Sequence, residues 1–426
     1  MNVTIHHSRP LIGEFQAPGD KSVSHRALML SALANGSSEI HNLLDAQDTH
    51  STLRCLQDLG IKIRREGSLT IVDGRGLYGL TEAMGDLDAG NSGTTIRLLS
   101  GILAGQPFTS RLTGDDSLRK RPMNRVIEPL TMMGAVLDAS ASGTPPVTIH
   151  GKKPLRAIEY RLPFPSAQVK SAVLLAGMYA DGTTAVVEPI PSRDHTERML
   201  GLVPEKGARD RTLRLRGGVS IPPRLYEVPG DFSSAIFFIC AALLVPHSKI
   251  VLRNVGLNPT RTKALDLLMS VGGRIRIEGH NEAAGEPYGT ISATFSRLEG
   301  SIVIDPATLP LVIDEIPVLA ATMAAAGCSF EVRGANELRH KESDRISAIV
   351  RNLQAMGVTT VEYPDGFAFE SKNDVLGATI QTLGDHRIAM AFGVAGMALK
   401  GEMTIRDAEV ASVSFPDFWK SVNQFQ

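Results

Sequence analysis

Six times along the chain the same order of polar and apolar positions recurs: a polar turn opened by Gly or Pro, a stretch rich in Ala, Leu and Val, a short polar turn, then a β-branched strand. The copies begin at GDKSVSHRALMLSALANGSSEI, GNSGTTIRLLSGILAGQPFTSRL, PSAQVKSAVLLAGMYADGTTAVV, GDFSSAIFFICAALLVPHSKIVL, DEIPVLAATMAAAGCSFEV and GDHRIAMAFGVAGMALKGEMTI. They lie about 70 residues apart, as repeats of one supersecondary unit do. The Ala/Leu/Val stretches are apolar on nearly every face, which predicts helices buried all round. Between them run amphipathic segments, THSTLRCLQDLG, NRVIEPLTMMG, TKALDLLMSVGG and SDRISAIVRNLQAMG. Apolar residues at i, i+3 and i+4 followed by Gly predict helices packed on one face and stopped by a C-terminal cap. IKIRRE, LTIVDG, RIRIEG and SIVIDP alternate as half-buried strands do. Each copy therefore reads as a small βαβ-type module, and six copies divide evenly as three per domain.

Length agrees with that division, since 426 residues exceed what one core usually supports. The best boundary is RLYEVPGDFS, where Pro222, Pro223 and Pro229 oppose a continued helix, between the third and fourth copies. The short strand ahead of Pro18 can pair with either domain as far as its own residues decide. A formal charge of −1 gives no global pull toward nucleic acid or an anionic membrane, so anion recognition must come from local clusters. Cys55, Cys240 and Cys328 sit in apolar contexts without zinc-ligand spacing, which points to a reducing compartment and no metal. No apolar run approaches the roughly 18 residues of a membrane span, and MNVTIHHSRP has no signal-peptide core; we expect a cytoplasmic protein.

Chemistry concentrates where the repeated helices begin, because a helix N-terminus presents free N–H groups and partial positive charge to an anion. In PGDKSVSHR, Lys21 and Ser22 follow a Pro-Gly turn and Arg26 lies about a turn further on. GNSGTTIR places Gly90 and Gly93 around a turn where a ligand can approach the backbone. Downstream, RKRPM sets Arg121 before Pro122, expected at the first helical position, so that Arg121 stands at a helix mouth. PFPSAQVKS offers Ser166 as an N-cap and Gln168 as a hydroxyl partner; SRDHTE adds Arg193 as a phosphate ligand and His195, which we read as structural. Asp314 and Glu315 precede the fifth apolar helix, and in HKESDRISAIVRNL the four-residue spacing of Lys341 and Arg345 predicts one shared helix face with Glu342 beside them. GDHRIAM brings His386 and Arg387 to the start of a buried helix, where a charge needs a partner. Taken singly, each motif also fits a capped helix with solvated cations. Together, cations at element boundaries in both halves fit one small polyanionic ligand pair, with Asp314 and Glu342 as proton-transfer groups.

PGDKSVSHRA, LDAGNSGTTIRLL, TGDDSLRKRPM, SAQVKSAVLLAG, SRDHTERML, RHKESDR and GDHRIAM, in this order over nearly the whole chain, resemble the 5-enolpyruvylshikimate-3-phosphate synthase family. The resemblance implies an α/β enolpyruvyl transferase fold: a two-domain inverse α/β barrel of six βαβαββ repeats, three per domain. Residues 1–19 with 229–426 would form one domain and 20–228 the other, with the N-terminal strand returning to the C-terminal half and the active site in the interdomain cleft. It further implies transfer of the enolpyruvyl group of phosphoenolpyruvate to the 5-hydroxyl of shikimate 3-phosphate through a tetrahedral intermediate, without cofactor or metal. Shikimate 3-phosphate would be held by Lys21, Ser22, Arg26, Ser166, Gln168, Arg193, Asp314 and Lys341. Phosphoenolpyruvate would meet Lys21, Gly93, Arg121, Gln168, Arg345 and Arg387. By the same resemblance Asp314 accepts the hydroxyl proton, while Glu342, helped by Lys21, protonates the methylene. Ala167, where some members have a second serine, and Val413, where the enteric type has lysine, resemble the second bacterial class. A monomer is implied, and glyphosate is a candidate inhibitor whose access Gly93 would govern. The related UDP-N-acetylglucosamine enolpyruvyl transferases use a mobile-loop cysteine, and none of the three cysteines here lies in a polar loop.

Overall fold

The computed structural model describes residues 1–370 and 374–424, and its contacts divide the chain into two compact units. One comprises Gly19–Pro229 together with Glu282–Glu286; the other comprises Met1–Pro18, Gly230–Asn281 and Pro287–Gln426. The crossings at Pro18/Gly19 and Pro229/Gly230 each fall at a Pro-Gly step, where the chain can leave one packing layer without breaking a helix.

In the Gly19–Pro229 unit, the helices Lys21–Ala32, Gly93–Ala104 and Ala167–Gly177 are buried on almost every side. Gly101 lets two of them touch: a Cβ there would lie 2.3 Å from the carbonyl oxygen of Ala172. Each helix leads into a four-stranded sheet of one design, a short strand parallel to the strand after the helix and then two antiparallel strands. One sheet runs Leu87–Asp88, Thr109–Thr113, Val147–His150, Val136–Asp138; the next runs Glu159–Arg161, Thr183–Glu188, Arg211–Arg216, Glu205–Lys206. In the first repeat the leading strand comes from the far end of the unit: Leu225–Glu227 pairs with Asn35–His41, in register Tyr226 opposite Ile40.

The other unit repeats the plan with the helices Phe232–Leu244, Ile316–Ala325 and His386–Gly396. Its leading strands include Ile12–Phe15, parallel to Lys249–Gly256, and Ser301–Ile304, parallel to Ser329–Val332. Its third sheet has three strands: Thr379–Ile380, Met403–Ile405 and Val3–Ile5, the last antiparallel with Thr4 opposite Thr404. The N-terminal segment thus supplies two strands to the unit built mainly from the C-terminal half.

The four amphipathic segments fold as Gln47–Asp58, Asn124–Met132, Lys263–Ser270 and Arg345–Ala355. Each ends two residues before a glycine with positive φ, namely Gly60 at 86°, Gly134 at 99°, Gly272 at 96° and Gly357 at 84°. That is the residue after the C-cap, where a left-handed conformation lets the chain turn back onto the last carbonyls and a side chain would be strained.

Candidate functional site

The chemistry predicted from sequence falls into two clusters, one in each unit. In the Gly19–Pro229 unit, Asp20 caps the first helix by accepting from the N–H of Val23 at 2.9 Å, which sets Lys21 as the first helical residue. Lys21 Nζ lies 3.0 Å from Asp48 Oδ2. Arg26 is buried, and each of its three nitrogens has a partner: Nε donates to Thr196 Oγ1 at 2.7 Å, Nη2 to Ser171 Oγ at 2.9 Å and Nη1 to the Ser22 carbonyl at 2.9 Å. Arg26 therefore ties the start of the first helix to that of the third and to the helix His195–Leu200.

Around the second helix the structure gathers Gly93, Arg121 and Gln168. Ser92 caps this helix, and Gly93 opens it. A Cβ on Gly93 would sit 3.0 Å from Arg97 Nη1 and 3.3 Å from Arg121 Nη1, so two guanidinium groups flank a bare stretch of backbone at a helix N-terminus. Arg121 Nη2 donates to Asn91 Oδ1 at 2.7 Å. Arg97, a residue not singled out from sequence, donates from Nη1 to Gln168 Oε1 at 2.6 Å, and Gln168 Nε2 donates to Thr94 Oγ1 at 3.3 Å. The only prior signal for Arg97 was a charge four residues inside an otherwise apolar helix. Ser166 caps the third helix through the N–H of Val169 at 3.3 Å. Arg193 lies on the connection into His195–Leu200, and His195 is buried with Nδ1 2.8 Å from Glu286 Oε1, a structural pairing.

One expectation here needs correcting. Pro122 is not the first helical residue: the helix starts at Asn124, after Met123, whose N–H is drawn back to the Gly143 carbonyl at 2.8 Å. Arg121 instead closes the 3-10 turn Leu118–Lys120.

In the other unit, Asp314 is ringed by cations. Lys341 Nζ stands 3.6 Å from Asp314 Oδ1, Arg345 Nη1 3.2 Å from the same oxygen, and Arg387 Nη2 3.8 Å from Asp314 Oδ2. Arg387 Nη1 also donates to the Asp314 carbonyl at 3.0 Å. Arg345 reaches Glu342 as well, with Nη2 2.5 Å from Oε2, so a single guanidinium bridges the two carboxylates proposed from sequence. Its Nε donates to Asp385 Oδ2 at 2.7 Å. Asp385 is fully buried and caps the helix His386–Gly396 through the N–H of Arg387 at 2.9 Å. Burial alone would pull the Arg345 pKa down; the carboxylates of Asp385, Glu342 and Asp314 outweigh it and raise the pKa, so Arg345 is a permanent cation.

The shared helix face expected for Lys341 and Arg345 is not what brings them together. Asp344 caps the helix that begins at Arg345, and Lys341 lies before it in extended backbone closing the turn Asn336–His340. The two meet at Asp314 because the chain folds back, with Arg339 anchored to Asp344 and Glu362 at 2.7 and 3.0 Å.

The three cysteines are buried. Burial pushes the thiols of Cys55 and Cys240 up to about 12, and neither is a nucleophile at neutral pH. No helix among the described residues is long and apolar enough to cross a membrane.

The sequence and fold have known relatives over nearly the whole chain. The sequence profile of the family described as EPSP synthase (3-phosphoshikimate 1-carboxyvinyltransferase) matches residues 5–422. A 3-phosphoshikimate 1-carboxyvinyltransferase of Solibacter usitatus is 49% identical, covering 100% of this chain and 99% of its own. One from Salinibacter ruber is 48% identical over 99% and 98%. Among solved structures, an EPSP synthase from Acinetobacter baumannii superposes with a TM-score of 0.87 at 40% identity, covering 100% of this chain and 98% of that one. The enolpyruvyl transferase NikO from Streptomyces tendae shares the fold with a TM-score of 0.74 at 18% identity, covering 99% and 96%.

Proposed function

We propose that this chain, which belongs to the EPSP synthase family, transfers the enolpyruvyl group of phosphoenolpyruvate to the 5-hydroxyl of shikimate 3-phosphate and releases phosphate. The observation that carries the chemistry is the Asp314–Arg345–Glu342 bridge, two carboxylates held by one buried cation. An addition–elimination needs two proton-transfer groups: one to take the hydroxyl proton as oxygen attacks C2, one to deliver a proton to the methylene at C3. We assign Asp314 to the first task and Glu342, assisted by Lys21, to the second. Elimination then reverses the C3 protonation as the C2–O bond to phosphate breaks, which regenerates the double bond.

To shikimate 3-phosphate we assign Lys21, Ser22, Arg26, Ser166, Gln168, Arg193, Asp314 and Lys341. Lys21, Gly93, Arg121 and Gln168, with Arg345 and Arg387, take phosphoenolpyruvate. Supporting this division, Gly93, Arg121 and Gln168 surround one helix N-terminus, where a compact anion gains both backbone N–H groups and guanidinium charge. Arginine donors preset around the departing phosphate stabilise charge as it develops. Glyphosate would compete at the phosphoenolpyruvate side; we take the protein to be a cytoplasmic monomer, the three buried free thiols fitting a reducing compartment.

Phosphate release from phosphoenolpyruvate, measured with shikimate 3-phosphate and in parallel with UDP-N-acetylglucosamine as acceptor, tests the assignment. Release with the shikimate ester is expected; turnover with the sugar nucleotide alone would reject it.

A further inference from the structure

Beside the connection that carries Arg193, three buried charged side chains, Lys170, Glu188 and Glu197, meet the partly buried Arg211. Lys170, wholly inaccessible in the helix Ala167–Gly177, sets its Nζ 2.9 Å from Glu188 Oε1 and 2.7 Å from Glu197 Oε1. Arg211 Nη2 adds contacts of 2.7 Å to Glu188 Oε2 and 3.5 Å to Glu197 Oε1. Glu188 is 0% and Glu197 2% exposed. Two cations balance two carboxylates, yet burying such a set is costly, and apolar side chains would fill the space with equal or better stability. Its chemical payoff therefore lies in what it holds.

Glu188 ends the strand Thr183–Glu188 and Glu197 belongs to His195–Leu200, so the two carboxylates bracket residues 189–194. Ser192, next to Arg193, is fastened to the cluster by three of its polar groups. Its Oγ donates to Glu188 Oε1 at 2.6 Å and its N–H to the same oxygen at 3.3 Å; its carbonyl accepts from Lys170 Nζ at 3.4 Å and Arg211 Nη2 at 3.1 Å. The neighbours of Lys170 and Glu197 in sequence, Ser171 and Thr196, are the residues that hold Arg26.

We propose that Lys170, Glu188, Glu197 and Arg211 form a positioning cluster that fixes Arg193 and Arg26 for the phosphate of shikimate 3-phosphate and thereby sets affinity for that substrate, apart from the proton transfers. The proposal rests on the assignment of Arg193 and Arg26 as phosphate ligands.

The test compares S192A, the charge-balanced double variant K170M/E197Q and, as a reference, R193A, in the full-length enzyme. Steady-state kinetics in each substrate are read alongside thermal unfolding. R193A is expected to raise KM for shikimate 3-phosphate at least tenfold, the double variant about tenfold and S192A about threefold, with kcat and the phosphoenolpyruvate KM within about twofold throughout. S192A removes one of the four hydrogen bonds that fasten Ser192 to the cluster and keeps the core charges, so it decides the matter if the double variant does not fold. An S192A enzyme with wild-type KM for shikimate 3-phosphate, while R193A raises that KM, overturns the positioning role alone. A rise in both KM values with an equal loss of kcat also overturns it. Should R193A bind shikimate 3-phosphate normally, the assignment of Arg193 falls and the proposal falls with it.

Discussion

At the scale of single residues, the site is built from side chains whose partners are distant in sequence. Glu342 stands out in the sequence because it lies beside Lys341 and near Arg345, but its geometry depends on Arg345 being anchored 40 residues away to Asp385. As the assigned proton donor, Glu342→Gln should lower kcat by about 10²- to 10⁴-fold with a much smaller change in either KM, measured by phosphate release. Gly93 makes a second residue-scale prediction. Because its missing side chain would press on the nitrogens of Arg97 and Arg121, Gly93→Ala should raise the KM for phosphoenolpyruvate about tenfold while leaving that for shikimate 3-phosphate within about twofold. Arg97 and the Lys170 cluster escaped the sequence because a lone charge in a buried helix announces a need for a partner but not which one. Only tertiary packing names Gln168, Glu188 and Glu197.

Elements were more legible than contacts. Helix starts with Asp or Ser caps, and the glycines at Gly60, Gly134, Gly272 and Gly357, are local signals that the backbone obeys directly. Starts governed by remote bonds were not: the helix near Pro122 yields its first turn to a Met123–Gly143 hydrogen bond, and Lys341 leaves the helix it was placed on. How the elements are tied yields a pH prediction. His25, buried in the first helix, shares a hydrogen-bonded chain with Thr52 at 2.7 Å, which in turn meets Thr95 at 2.7 Å, linking three helices. Burial, and less so Lys21 and Arg26 against the opposing pull of Asp48, lower its pKa to about 3. The neutral ring is stable above the ordinary value near 6.5, whereas below it the unfolded chain takes up a proton that the native helix refuses. Stability should therefore be full above about pH 6.5 and fall by up to about 1.4 kcal/mol per pH unit as acid is added toward pH 3. Urea midpoints collected from pH 7 to pH 5 should show this slope, and His25→Asn should flatten it. Helix packing gives a further expectation: Gly101→Ala should cost about 2 kcal/mol in urea unfolding despite alanine's better helix propensity, because the obstacle is the Ala172 backbone.

For the whole molecule, the sixfold repeat was visible in the hydrophobic pattern, while the origin of each leading strand was not, since two- to four-residue strands carry almost no periodicity. Leu225–Glu227 and Ile12–Phe15 both open repeats far from their own place in the chain. Two compact units predict unfolding in more than one step. Deleting residues 2–17 strips two strands from the unit that holds Gly230–Asn281 and Pro287–Gln426 and should lower that unit's urea transition, followed by the fluorescence of Trp419 within it, without moving the other unit's, followed by far-UV circular dichroism. The pairing of Val3–Ile5 with Met403–Ile405 also has a consequence for biosynthesis. At about 5–20 residues per second, the first strand leaves the ribosome tens of seconds before its partner is made. During that interval Lys249–Gly256, the partner of Ile12–Phe15, is already made, whereas Val3–Ile5 must wait, so nascent chains stalled before Met403 should expose the first strand to protease while the segment behind it is already protected.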